Sequence, residues 1–373
     1  MPAVPSSPMP TRVSDTGILE VLGQVPDPRA RRGVRHRLTA ILAVTLAAVC
    51  AGARSFTAIA EWAADAPAEA LGRLGVAAPV PSESTIRRTL GRVDAAVLDQ
   101  VIGVWAWLRT RVVDGRRVIA VDGKTLRGAK DTAGHLTHLL AALDHGSGVV
   151  LGQVEVGAKT NEIPLITDLL GMLDLTDVVV TADALHCQRA TAEYIVGRGG
   201  HYVFTVKNNQ RALRNLLKAL PWNEIPVSSS IAGSGHGRLE RRTVKATEVG
   251  AGLGFPHATQ VLQVRRTVTR NGRKSVEIVY LITSMPMTAA APTQIATWIR
   301  GHWGIETRLH WVRDVTFDED RSTIRTGTGP QVMAAIRNTA ISILRLAGHT
   351  SIAVGLRHHS RDPHRPIDLL HAA

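Results

Sequence analysis

The sequence predicts an α/β fold, a mixed β-sheet with flanking helices, preceded by an α-helical N-terminal domain. Three observations predict it. Residues 15–110 carry long Ala- and Leu-rich stretches and helix-capping signals. From about residue 115 short β-branched apolar runs alternate with helical segments. Residues 225–285 then turn to alternating, β-branched sequence broken by Asn271-Gly272, a hairpin signal.

In the N-terminal part, Leu38–Ala53 and Phe56–Ala64 read as helices, and residues 1–14 as disordered. A third helix starts at Ser82, behind Pro79 and Pro81. Ser82 suits the N-cap, Glu83 the positive helix end, and Arg87, Arg88 and Arg92 the body. Such a helix fits either a helix-turn-helix recognition element or a packing helix with a solvated basic face. Residues 29–37 (RARRGVRHR) hold five Arg, including Arg31, Arg32 and Arg35, and no acid. They read as a phosphate-contacting arm or a solvated loop.

The second part opens with Arg117–Asp122, a strand ending in an acid. His135–Asp144 and Val149–Val156 follow as strands joined by a turn at residues 145–148. Asn161–Leu173 is a helix, Asp177–Asp183 another buried strand ending in an acid, Gln188–Gly197 a helix, and His201–Lys207 a strand. Three strands, helix, strand, helix is the order of a ribonuclease-H-like mixed sheet, with the first and fourth strands parallel neighbours. A β-rich insertion then spans about 211–290, with Arg241–Glu248, Val261–Arg270 and Ser275–Ser284 as its strands. Helical sequence returns at 292–313 and 330–347. The expected domains are therefore 15–110, 115–348 and a loosely ordered basic tail over 349–373.

Composition limits the function. Forty-four Lys+Arg against 31 Asp+Glu give a formal charge of +13 and a pI near 10.7. This surplus, mostly Arg, favours a polyanionic partner, because each neutralised phosphate releases counterions; a generally basic, Arg-rich coding sequence gives the same number. Cys50 and Cys187 are the only cysteines and have no metal-ligand spacing, which excludes a zinc site or disulfide framework. The opening MPAVPSSPMP lacks the regions of a signal peptide. The longest uncharged run, Leu38–Ala53, is shorter than the ~20 residues that span a bilayer, so a buried helix, no membrane partner and a cytoplasmic location are expected.

Two apolar strands ending in Asp122 and Asp183 would place two carboxylates in one small volume at the carboxyl edge of the sheet. Their repulsion is best relieved by a divalent cation, and oxygen ligands select Mg2+ or Mn2+. A lone strand-terminal Asp is usually structural; the pair in a basic chain is more informative. Glu306 is the candidate third acid. His302, Glu306 and His310 are spaced i, i+4, i+8, which fits a carboxylate ligand flanked by DNA-contacting His and Trp303, or a His-Glu-His metal site. Trp298, Trp303 and Trp311 crowd the same segment, and Trp298 and Trp303 either stack on a splayed base or pack the core.

These blocks together resemble the DDE transposases of bacterial insertion sequences, in the H-repeat-associated, ISAs-type branch. The residues that carry the resemblance are Val25-Pro26-Asp27-Pro28-Arg29, Arg32-Gly33, His36 and the run 81–88 (PSESTIRR) in the associated N-terminal domain. Further on they are 120–128 (AVDGKTLRG), 159–164 (KTNEIP), 181–188 (TADALHCQ), 202–207 (YVFTVK), 302–306 (HWGIE), 309–311 (LHW) and 314–320 (DVTFDED).

The resemblance implies a catalytic metal triad of Asp122, Asp183 and Glu306, holding two Mg2+ ions that Mn2+ replaces. Sixty residues separate the first two acids and 122 the last two, a gap that the β-rich insertion fills. Many relatives carry a Tyr-Arg-Glu-Lys signature; here Ile299, His302, Glu306 and Arg313 stand at those positions. The implied activity is cleavage at insertion-sequence ends and strand transfer into target DNA by a nucleoid-associated homodimer. Lys124, Arg127, Lys207 and Arg313 are candidates to hold phosphates near the site, with surface charge as the alternative role. A non-catalytic DNA-binding descendant and a ribonuclease-H-like repair or RNA-processing nuclease are the competing functions.

Overall fold

The computed structural model describes residues 16–32, 34–110, 112, 115–130, 134–157, 161–235 and 237–373, apart from the Ala251 side chain. The expected disorder of residues 1–14, and Gly33, Lys159 and Thr160 of the motifs, lie outside this set. The chain forms two compact units. One holds the residues up to Thr110 together with Thr326–Ala373, the other Arg111–Arg325.

The first unit begins with α1 (Ile18–Leu22), α2 (Leu38–Cys50), α3 (Phe56–Asp65), α4 (Ala68–Arg73), α5 (Glu83–Leu90) and α6 (Ala95–Leu108). Every α2 residue except Thr39 is buried, and the Thr45 hydroxyl escapes an orphaned burial by donating to the Ile41 carbonyl at 2.7 Å. Ser55, Ser82 and Asp94 cap the next helices by accepting from backbone N–H groups of the first turn.

The second unit is built on one nine-stranded sheet of order β3-β2-β1-β4-β5-β9-β8-β7-β6. Its strands are β1 (Arg117–Lys130), β2 (Leu136–Asp144), β3 (Val150–Val156), β4 (Val178–Ala182), β5 (His201–Val206), β6 (Val227–Gly235), β7 (Arg238–Glu248), β8 (Gln260–Arg270) and β9 (Arg273–Thr283). β4 runs parallel to both β1 and β5, and every other neighbouring pair is antiparallel. The helices are α7 (Glu162–Gly171), α8 (Arg189–Gly197), α9 (Arg211–Ala219) and α10 (Pro292–Ile305). Val118, Val179, Val203, Leu262 and Leu281 form one apolar face of the sheet, and Ile295 and Trp298 of α10 join them in a single core cluster.

Two expectations change. β1 does not stop at Asp122 but continues to Lys130, because β2 still pairs with it after β4 has ended. The β-rich insertion prolongs the same sheet by four strands, since β9 pairs with β5. Asn271 and Gly272, with φ of 49° and 71°, supply the turn that the β8–β9 hairpin demands. After the sheet the chain returns to the first unit as α11 (Gly329–Leu346), α12 (Ile352–His359) and α13 (His364–Ala372). The expected loose tail is thus helical, with Ile352, Leu356, Ile367, Leu369 and Leu370 buried, and the compact unit that holds the sheet ends at Arg325. Five buried apolar residues among its many His and Arg give these helices a packed face.

Candidate metal centre

Asp122 sits where β1 and β4 part. Their parallel register ends at Val121 against Ala182, so Asp122 and Asp183 are the next residue on each strand. Adjacent strands lie about 4.8 Å apart, which brings the two acids to one edge position. Asp122 is half-buried, and burial raises its pKa; the negative charge of Asp183 pushes the same way, while His310 opposes it. Asp183 accepts the Leu185 backbone N–H at 2.8 Å, which fixes the start of the following loop.

Glu306 reaches this edge from the end of α10, where the backbone changes to a π-helical segment at Glu306–His310 and another at Val312–Thr316. The wider π turn stacks Glu306 and His310 on one face. The His310 Nδ1 lies 3.0 Å from Glu306 and 3.7 Å from Asp122. Glu306 has its carboxyl held below the usual range, first by the hydrogen bond from His310, then by the positive charge of His310 and of Lys124. Among the described residues, the convergent ligand atoms are those of Asp122, Glu306 and His310, all within 4.8 Å of one another. Asp183 is outside that group but lines the same cleft of about 770 Å³, together with Lys207, Arg300, His302 and Trp303.

The alternative His-Glu-His metal site does not form. His302 turns away to Thr181, whose hydroxyl donates to the Ile119 carbonyl and accepts from His302 Nδ1 at 3.2 Å and His145 Nε2 at 3.0 Å. Burial lowers the pKa of His302 to about 4 and of His145 to about 3, so both rings are neutral. Asp122 takes the place that the spacing gave to His302.

The other expected contacts divide by exposure. Arg127 and Trp303 are 79% and 66% exposed, and Lys207 is exposed on the cleft. Arg31, Arg32, Arg35, Arg87, Arg88 and Arg92 are exposed on the first unit, where Arg87 also pairs with Glu83 at 3.0 Å. Arg313 cannot touch a phosphate: it is fully buried against Glu319 at 2.8 Å. Lys124 is 8% exposed and donates to Asp314 at 2.5 Å, and His310 is 3% exposed beneath the acids. Trp298 is a core residue rather than a base-stacking platform.

Sequence reasoning missed a neighbouring cluster. Glu162, at the start of α7, accepts from His138 Nε2 at 2.6 Å and from His186 Nε2 at 3.2 Å. Although burial alone would raise it, these two histidines hold the Glu162 carboxyl down at about 2. The motif blocks 159–164 and 181–188 were the signal; their spacing in the chain hid the contact.

The strand fork with its two acids faces a helix that delivers a third, so hard oxygen donors gather at one place. Its carboxylate oxygens would suit Mg2+ or Mn2+, while His310 Nδ1–H is given to Glu306 and adds no ligand. Residues 114–343 match the family described as Transposase DDE domain, and residues 19–106 match the family described as DDE_Tnp_1-associated. The chain belongs to the DDE transposase family. It is 32% identical to "Putative transposase YncI" of Escherichia coli O157:H7, over 89% of this chain and 88% of that protein. It is 31% identical to "H repeat-associated putative transposase YhhI" of Escherichia coli K12, over 88% of this chain and 90% of that one. A cryo-EM structure of the piggyBac transposase synaptic complex with hairpin DNA superposes loosely, with a TM-score of 0.45, 11% identity, and 95% and 76% of the two chains covered. Among the described residues no helix is long and apolar enough to cross a membrane.

Proposed function

We propose that the chain is a metal-dependent DNA endonuclease and strand transferase that cuts insertion-sequence ends and joins them to target DNA. The single observation that carries this reading is the meeting of Asp122, Glu306 and His310 within 4.8 Å, beside Asp183 on the adjoining strand. The β3-β2-β1-β4-β5 order, with β1, β4 and β5 parallel, supports a ribonuclease-H-like catalytic sheet.

In this reading Asp122, Asp183 and Glu306 hold divalent ions, Mg2+ in the cell and Mn2+ as a substitute. Bound there, such ions polarise a phosphodiester and ease ionisation of water or a 3′-hydroxyl. The chain supplies the rest. His310 keeps Glu306 ionised and aimed at the sheet edge. Buried Lys124 offsets the negative charge gathered there, while Asp314 fixes its position. Lys207 and Arg300 on the cleft walls, with Arg127 outside, hold phosphates of the strand to be cut. Exposed Trp303 offers a flat face to a base at the cut. The first unit, through Arg31, Arg32, Arg35, Arg87, Arg88 and Arg92, binds duplex DNA, and two copies of the chain pair the two ends.

The test is incubation of the full chain with plasmid carrying the repeats that flank its gene. Mg2+-dependent nicks at the repeat ends, lost in Asp122→Ala, are expected. Specific binding with no cutting in either Mg2+ or Mn2+ would overturn the enzymatic reading in favour of a non-catalytic DNA-binding descendant.

A further inference from the structure

We infer that Glu162 is a positioning residue for the metal centre, tying together the two chain segments that follow Asp122 and Asp183. The inference rests on the proposed metal role of those acids.

The geometry is specific. Gly123, directly after Asp122, lies so close to Glu162 that a Cβ there would meet the carboxylate at 2.4 Å. The same carboxylate accepts from both histidines through different oxygens, Oε1 from His138 and Oε2 from His186. Beyond its Nε2 contact with Glu162, His138 also reaches the Thr125 hydroxyl through Nδ1 at 2.8 Å, on the strand that carries Asp122. His186 stands three residues after Asp183 and is fully buried, and among the described residues its Nδ1 has no partner, so Glu162 holds its ring through Nε2. One side chain thus touches β1 beyond its first acid, directly and through His138, and grips the loop beyond the second.

This matters because β1 and β4 stop pairing at Val121 and Ala182, one residue before each acid. Past the fork no ladder hydrogen bond fixes the spacing of Asp122 and Asp183. Glu162 replaces that ladder with an ionic bridge. Its charge is needed: an ionised carboxylate accepts from two N–H donors at once, and a neutral isostere turns one of these contacts into a donor facing a donor unless a ring changes tautomer.

Mn2+ binding to the full-length protein, followed by electron paramagnetic resonance of the free ion, tests this without relying on DNA cleavage. Glu162→Ala is expected to weaken Mn2+ binding about tenfold or more, in the range seen for groups that orient ligands without touching the ion, and Glu162→Gln by a smaller factor. The thermal midpoint, measured alongside, separates this from general loosening. If Glu162→Ala does not fold, the Gln variant decides. Unchanged Mn2+ affinity in the folded variants, with binding lost in Asp122→Ala, overturns the positioning role alone. Unchanged affinity in Asp122→Ala overturns the metal centre itself.

Discussion

His310 lies one π-helical turn beyond Glu306, and its Nδ1–H donates to the Glu306 Oε2 across 3.0 Å. The two residues act as one unit, because this bond is the first cause of the lowered Glu306 pKa. Replacing His310 by Ala should therefore raise the Glu306 pKa toward its ordinary value. A carboxyl-carbon NMR titration reads it; an unmoved titration would show that the helix, not the histidine, sets the charge.

The pair His145 and His302 makes the second unit sensitive to acid. Both rings are neutral when folded, with pKa values of about 3 and about 4 against an ordinary 6.5. Protonation then favours the unfolded chain, so their contribution is complete above pH 6.5 and drains away as pH falls toward 4 and 3. The unfolding midpoint should decline over that window, and His145→Gln should flatten the decline. An equally steep curve in the variant would place the acid lability elsewhere.

Gly128 has no room for a side chain. A Cβ there would lie 2.7 Å from the Ser322 carbonyl oxygen and 2.8 Å from that of Glu319, both backbone atoms that cannot rotate aside. Gly128→Ala should cost about 1–3 kcal/mol in urea unfolding. A neutral substitution would mean that the segment after the third acid shifts freely.

Arg313 and Glu319 form a buried ion pair at 0% and 2% side-chain exposure. Arg313→Met strands the Glu319 charge and should destabilise by about 3–5 kcal/mol. Adding Glu319→Leu removes that charge and should restore part of the loss. A single variant as stable as the parent would assign the pair no structural weight.

Much of this was readable in the chain. The strand order up to His201 followed from alternating apolar runs, and the Asn271-Gly272 turn from residue chemistry alone. Asp122 and Glu306, which the fold brings together, both stand in motif blocks of the sequence. Most of what escaped depends on pairing that no local pattern reports. The continuation of β1 past Asp122 needs β2 as partner, and the joining of β9 to β5 needs an edge that no local pattern reports. The i, i+4, i+8 spacing did place Glu306 and His310 together, but a contact from another strand, Thr181, captures the His302 ring. Arg313 reads as a surface cation until Glu319, six residues on, folds back against it.

The most direct measurement is the anomalous scattering of Mn2+ diffused into crystals of the full chain. A peak about 2.1–2.3 Å from carboxylate oxygens of Asp122 and Glu306, with Asp183 drawn onto the same or a second ion, is the expected result. Crystals saturated with Mn2+ that show no peak at the β1–β4 fork, or only a peak elsewhere, would contradict the metal centre and the nuclease built on it.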